Sequence, residues 1–166
     1  GGAINSPQLL QLSGVGNVRT KLEELGSHAF RYVRPEFMQR AEEGRTIVVA
    51  GDAWGSGSSR EQAVLALKGA GIRVVIAKSY AFIHKRNLVN EAVPYLVVRD
   101  EAFYALATED AELAVDLATG VVTHVATGTT FAADTPTPMV RALQVEGGLV
   151  PAIQKHGPKV FEALTA

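Results

Sequence analysis

The sequence predicts an α/β fold with a mostly parallel central sheet and a small antiparallel hairpin appendage. Two observations carry that expectation. From Thr46 to Val98, short β-branched runs alternate with helix-period stretches across connections of a few residues, the pattern of parallel strands joined by crossover helices. Beyond Asp100 the pattern changes to strand-like alternation on either side of Ala118-Thr119-Gly120, the pattern of a hairpin. The stretch 27–166 reads as one domain, preceded by an atypical N-terminal segment at 1–26.

In chain order, Thr46 to Ala50 is a β-branched run of the kind found in buried strands. A Gly/Ser-rich loop follows, then a helix over Ser59 to Lys68, with Ala63, Val64, Ala66 and Leu67 on its core face. Gly69 and Gly71 stop it. Arg73 to Ala77 is the second strand, Tyr80 to Ala92 the second helix, and Tyr95 to Val98 the third strand. Right-handed crossovers follow from chain chirality. Glu112 to Leu117 and Val121 to Ala126 form the hairpin. Pro138 to Val145 is a short helix ended by Gly147 and Gly148, and Leu149 to His156 supplies a final turn or two.

Composition narrows the function. The 166 residues are 47% apolar and 20% charged, ordinary for a globular protein with a core of its own. Sixteen Lys and Arg stand against 17 acidic residues, so no electrostatic footprint points to nucleic acid or an anionic membrane. The chain contains no cysteine, hence no disulfide framework and no cysteine-ligated metal or cluster of its own. No apolar run is long enough for a bilayer, and the N-terminus lacks the basic flank of a signal peptide. A cytoplasmic location is the default expectation.

The loop Gly55-Ser56-Gly57-Ser58-Ser59-Arg60-Glu61 lies between a strand end and a helix start, where ligands bind in open α/β sheets. Helix N-termini present unpaired backbone N–H groups and the positive end of the dipole, a setting that suits an anion. Glycines let the backbone approach a ligand, and Arg60 offers a planar fork for a carboxylate. Ser58 and Glu61 also have the Ser-x-x-Glu spacing of a capping box, which satisfies the same N–H groups with no ligand; on spacing alone the two readings are evenly matched and not exclusive. The loop lacks the Gly-Lys-Ser/Thr ending of a nucleoside triphosphate site. It is not a dinucleotide fingerprint either, because Arg60 occupies the third glycine position.

Gly57 to Glu61, preceded by the strand Ile47 to Gly51, resembles the signature of the aconitase and 3-isopropylmalate dehydratase swivel domain. Pro35-Glu36-Phe37, Ala66 to Ile72, Val75 to Ser79, Arg86-Asn87 with Asn90, Asp116 to Gly120 and Glu146 to Leu149 extend the resemblance in order and spacing across roughly residues 27–154. The resemblance implies a swivelling β/α domain that serves as the small subunit of a hydro-lyase. Such an enzyme isomerises a hydroxy di- or tricarboxylic acid by dehydration and rehydration. It implies Ser58 as the base that removes the α-proton, and Ser59 and Arg60 as contacts to substrate carboxylates. Gly57 and Trp54 belong to the same substrate-binding stretch, Trp54 as a pocket wall or as an anchor for the loop. The family's four-iron four-sulfur cluster acts as a Lewis acid on the leaving hydroxyl. With no cysteine here, the resemblance places that cluster in a separate cysteine-bearing large subunit and makes this chain inactive alone.

Other polar residues carry lower stakes. Asn87 and Asn90 are more readily structural near a helix end, His84 is a solvated or core histidine, His124 and His156 lack an evident partner, and Glu42-Glu43 is a solvated face. The family's usual Asp-Thr-Asp-type opening loop is missing. Residues 2–16 instead resemble a short signature of glucose–methanol–choline flavin oxidoreductases. Two alternatives follow: a non-catalytic carboxylate-binding or regulatory swivel module, and a flavoprotein fragment resting on that short signature.

Overall fold

A computed structural model describes residues 18–58 and 60–165. Strands β1 (Ile47–Ala50), β2 (Val74–Ala77) and β3 (Tyr95–Val97) form a parallel sheet in the order β1-β2-β3. All four β2 residues are buried, because both faces of a parallel sheet are covered and the strand shows no polar alternation. Val75 and Ala77 join one core cluster with Val64, Leu67 and Leu88, while Val74 and Ile76 join another with Leu96, Phe103, Val122 and Phe131.

The helices are α1 (Val18–Ser27), α2 (Phe37–Glu42), α3 (Glu61–Gly69), α4 (Phe82–Asn90), α5 (Glu101–Leu106), α6 (Pro138–Val145), α7 (Leu149–His156) and α8 (Val160–Thr165). Helix α3 buries Ala63, Val64, Ala66 and Leu67, the face expected from the sequence. Its end is built as expected too. Gly71 adopts φ +77°, Ile72 N–H donates to Leu67 O at 3.0 Å, and Gly71 N–H donates to Lys68 O at 3.1 Å, a Schellman arrangement. Gly69 has a second role. A β-carbon there would lie 1.8 Å from Leu22 O, and one at Gly26 would lie 2.3 Å from the Gly69 carbonyl carbon. Helix α1 therefore crosses α3 backbone against backbone.

The antiparallel part is larger than the expected hairpin. Strands β4 (Leu113–Asp116), β5 (Val121–His124) and β6 (Thr129–Ala132) form a three-stranded sheet. The predicted second strand to Ala126 stops at His124, and the chain turns back through Thr127 and Gly128. Asp116 Oδ1 accepts from Ala118 N–H at 2.9 Å and Thr119 N–H at 3.2 Å, and hydrogen bonds from Thr119 and Ala118 hold its carboxyl below the usual range. An isolated antiparallel bridge, with Asp134 N–H donating to Val97 O at 2.8 Å, covers the outer edge of β3 and joins the two sheets. Leu143, Ala152 and Val160 form a satellite core among α6, α7 and α8, more helix than the sequence predicted. Among the described residues no helix is long and apolar enough to cross a membrane.

Candidate functional site

Parallel strands end on the same side of a sheet, so residues 51–60 after β1 lie beside residues 78–81 after β2. The two connections are laced together. Trp54 N–H donates to Ser79 O at 3.0 Å, Ala81 N–H donates to Trp54 O at 2.9 Å, and Ala53 N–H donates to Ser79 Oγ at 2.8 Å. Tyr80 anchors the second connection. Its hydroxyl reaches Val75 O at 2.8 Å and Leu96 O at 3.0 Å, and burial pushes the phenol pKa well above its ordinary value. Two strands of the sheet thus hold the base of the loop in place.

Above this base the chain makes two tight turns, with Ser56 N–H donating to Ala53 O at 3.1 Å and Ser58 N–H to Gly55 O at 3.3 Å. Ala53 and Gly55 sit at positive φ, 49° and 86°. For the alanine this is a strained conformation of the kind concentrated at functional loops. Arg60 is the N-cap of α3, extended at φ −87° and ψ 139°, and its backbone N–H donates to Ser58 Oγ at 3.2 Å. The capping box, one of the two readings of this spacing, does not form at the N-cap. Helix α3 begins at Glu61 instead of Ser59, so Ser58 lies two residues before the N-cap and Glu61 is the first helical residue. With Glu61 at N1, the Ser-x-x-Glu spacing no longer joins an N-cap to N3.

The Ser58 hydroxyl and the Arg60 backbone N–H meet just before the first turn of α3. Ser58 is half-buried, and Ser56, Gly57 and Arg60 are exposed; Ser59 lies outside the described residues. A cleft of about 1200 Å³ runs along β1 and reaches this loop only at Gly51 and Trp54. It includes neither Ser58 nor Arg60. Ser56, Gly57 and Arg60 thus lie at the protein surface.

Trp54 lies under the loop as an anchor, 5% exposed and stacked on Phe30 at a centroid distance of 5.8 Å. His84 of α4 is a core residue, 2% exposed, and meets the indole edge-on at 6.2 Å. Its ring occupies the space a Gly55 side chain would need: a β-carbon at Gly55 would lie 2.1 Å from His84 Cγ. Among the described residues, neither ring nitrogen of His84 nor the indole Nε1 of Trp54, all buried, has a hydrogen-bond partner. Such groups each cost about 1–3 kcal/mol. Burial lowers the His84 pKa, so the ring is neutral at pH 7.

Two features of this neighbourhood had no sequence signal. One is the seat of His84 beneath Gly55, 29 positions away. The other is a carboxyl pair: burial raises the Glu91 pKa, and a hydrogen-bonded Glu61 carboxyl raises it further against the lowering effect of Lys68. Asn87 is buried at 4% and Asn90 half-buried on α4. His124 and His156 do have partners, Thr127 Oγ1 at 2.8 Å and Glu146 Oε1 at 3.1 Å. Among the described residues no group of three or more His, Cys, Asp or Glu could hold a metal ion.

The comparisons with known proteins agree with this architecture. The aconitase C-terminal domain family model matches residues 19–101. The 3-isopropylmalate dehydratase small subunit of Methanosarcina acetivorans is 45% identical over 134 residues, 80% of this chain and 79% of that one. Aconitase AMT8 of Alternaria alternata is 43% identical over 142 residues, 86% of this chain but only 16% of that protein. The chain thus spans about a sixth of the length of such long aconitases. The crystal structure of 3-isopropylmalate dehydratase (leuD) from Methanocaldococcus jannaschii superposes with a TM-score of 0.79 at 29% identity, covering 99% of this chain and 90% of that one. The flavin-oxidoreductase resemblance of residues 2–16, which lie outside the described residues, finds no support among these relatives. The chain belongs to the aconitase family, as a counterpart of its C-terminal domain and of the 3-isopropylmalate dehydratase small subunits.

Proposed function

We propose that this chain is the small subunit of a two-subunit hydro-lyase of the 3-isopropylmalate dehydratase kind, with a hydroxy di- or tricarboxylic acid as substrate. The observation that carries the reading is the Ser58 hydroxyl accepting the Arg60 N–H at the exposed start of α3. A serine oxygen is a poor base in water; a backbone donor and the positive end of a helix favour its alkoxide. Ser58 in that form accepts the α-proton of the substrate, and the resulting hydroxyl returns it during rehydration. The Arg60 guanidinium holds a substrate carboxylate in two parallel bonds, Ser59 and Gly57 complete the anion contacts, and Trp54 supports them from below. The open face of the loop is matched to a second protein surface, a cysteine-bearing large subunit. The iron–sulfur cluster bound there supplies Lewis-acid chemistry at the leaving hydroxyl.

The test combines the chain with an iron–sulfur large subunit and follows hydration of citraconate, a cis-alkene dicarboxylate. Ser58→Ala is expected to lower kcat by about a thousandfold, with much smaller change in KM. Full activity in that variant would refute the assignment. Calorimetry with small di- and tricarboxylates separates the enzyme from a stand-alone binding module: tight binding by the chain alone would favour the module.

A further inference from the structure

The four histidines of this chain differ in one respect. His28 Nδ1 lies 3.5 Å from Arg31, His124 Nδ1 lies 2.8 Å from Thr127, and His156 Nε2 lies 3.1 Å from Glu146. His84 is the most deeply buried of the four, and both of its ring nitrogens lack a hydrogen-bond partner among the described residues. It lies against the glycine of the motif loop and edge-on to Trp54, whose indole nitrogen has no hydrogen-bond partner among the described residues either. A phenyl ring would fill the same seat with no polar atom to bury. Unmet polar groups in a native core mark a place where a partner arrives or where function opposes stability.

We infer that His84 is a positioning residue for the 55–58 loop, and that its ring nitrogens acquire hydrogen-bond partners only in the assembled, substrate-bound site. The inference rests on the function proposed above. The ring touches no substrate; it sets the height of Gly55, and through the two tight turns that of Ser56, Gly57 and Ser58. A hydrogen bond gained at the ring on assembly locks that height when the α-proton is transferred, so the effect falls on kcat.

The experiment compares wild type with His84→Phe, His84→Asn and His84→Gln, the amides placing a nitrogen near the Nδ1 or the Nε2 position. In the free chain, H84F is expected to raise Tm by about 3 °C or more, because it removes two unpaired polar atoms. In the complex with an iron–sulfur large subunit, H84F is expected to lower kcat for citraconate by about tenfold or more while KM changes by less than about threefold. One of the two amide variants should recover part of the loss. A fully active H84F, a free H84F chain less stable than wild type, or a kcat loss that neither amide relieves would each overturn the inference. The wild-type complex keeps the two readings apart: its failure to hydrate citraconate sinks the proposed function, whereas an active wild type beside an equally active H84F overturns only the role of His84.

Discussion

Replacing Gly55 with alanine tests how the loop is held. Two costs combine at this position. The first is conformational: φ is +86°, where a β-carbon costs about 1–2 kcal/mol. The second is steric, because the new carbon would stand 2.1 Å from His84 Cγ and 2.5 Å from Cδ2. Ordinary contact begins near 3.4 Å, so ring or loop must move by more than 1 Å in a packed core, a displacement that costs about 1–3 kcal/mol. The sum is about 2–5 kcal/mol. Gly44 isolates the first cost, since its φ is +95° and a β-carbon there meets nothing within 4 Å. Urea unfolding followed by far-UV circular dichroism should therefore show Gly44→Ala losing about 1–2 kcal/mol and Gly55→Ala clearly more. In the double variant Gly55→Ala/His84→Ala, the two losses should be less than additive by about 1–3 kcal/mol. Equal losses at the two glycines, or strict additivity in the double variant, would refute a close seat of His84 beneath the loop.

Three further outcomes follow from the structure. Glu91 titrates above its ordinary 4.5 in the folded chain, so folding favours its protonated form, and that contribution fades as pH rises through the raised pKa. Glu91→Gln should accordingly raise Tm by about a degree or two at pH 7 and by nothing near pH 4, checked by thermal melts at both pH values. Asp100 caps α5 by accepting from Ala102 N–H at 2.9 Å; Asp100→Ala should cost about 1 kcal/mol in urea unfolding. Arg60→Lys keeps the charge but loses the fork, and should raise KM for citraconate in the complex by about tenfold while the chain melts as wild type does.

The central sheet was legible because a strand buried on both faces has no polar positions to obscure its run, as Val74 to Ala77 shows. Helix α3 was legible from Ala63, Val64, Ala66 and Leu67, all of which are buried. Helices α2 and α5 were missed: each has six residues, fewer than two turns, too few to establish a period. Strand β6 was missed because Phe131 is its one buried residue, so threonines and alanines around it read as a loop. In the site, the sequence reading misplaced the helix start by two residues, because helix ends are set by local hydrogen bonds that spacing alone does not resolve. The underside of the loop was invisible, because the contact of Gly55 with His84 depends on how α4 packs, and nothing in either residue's neighbourhood announces it.

The glycine crossing of α1 and α3 has a mechanical consequence. Helix α3 has nine residues and so is about 13 Å long, clamped at its carboxyl end by bare backbone and carrying Arg60 at the other. A rigid rod converts angle into travel: a tilt of about 5° at this crossing displaces the far tip by about 1 Å, a misplacement that can reduce an enzyme's rate by about a hundredfold. The aim of Ser58 and Arg60, the residues proposed to act on substrate, is therefore set partly at Gly26 and Gly69, at the opposite end of the helix.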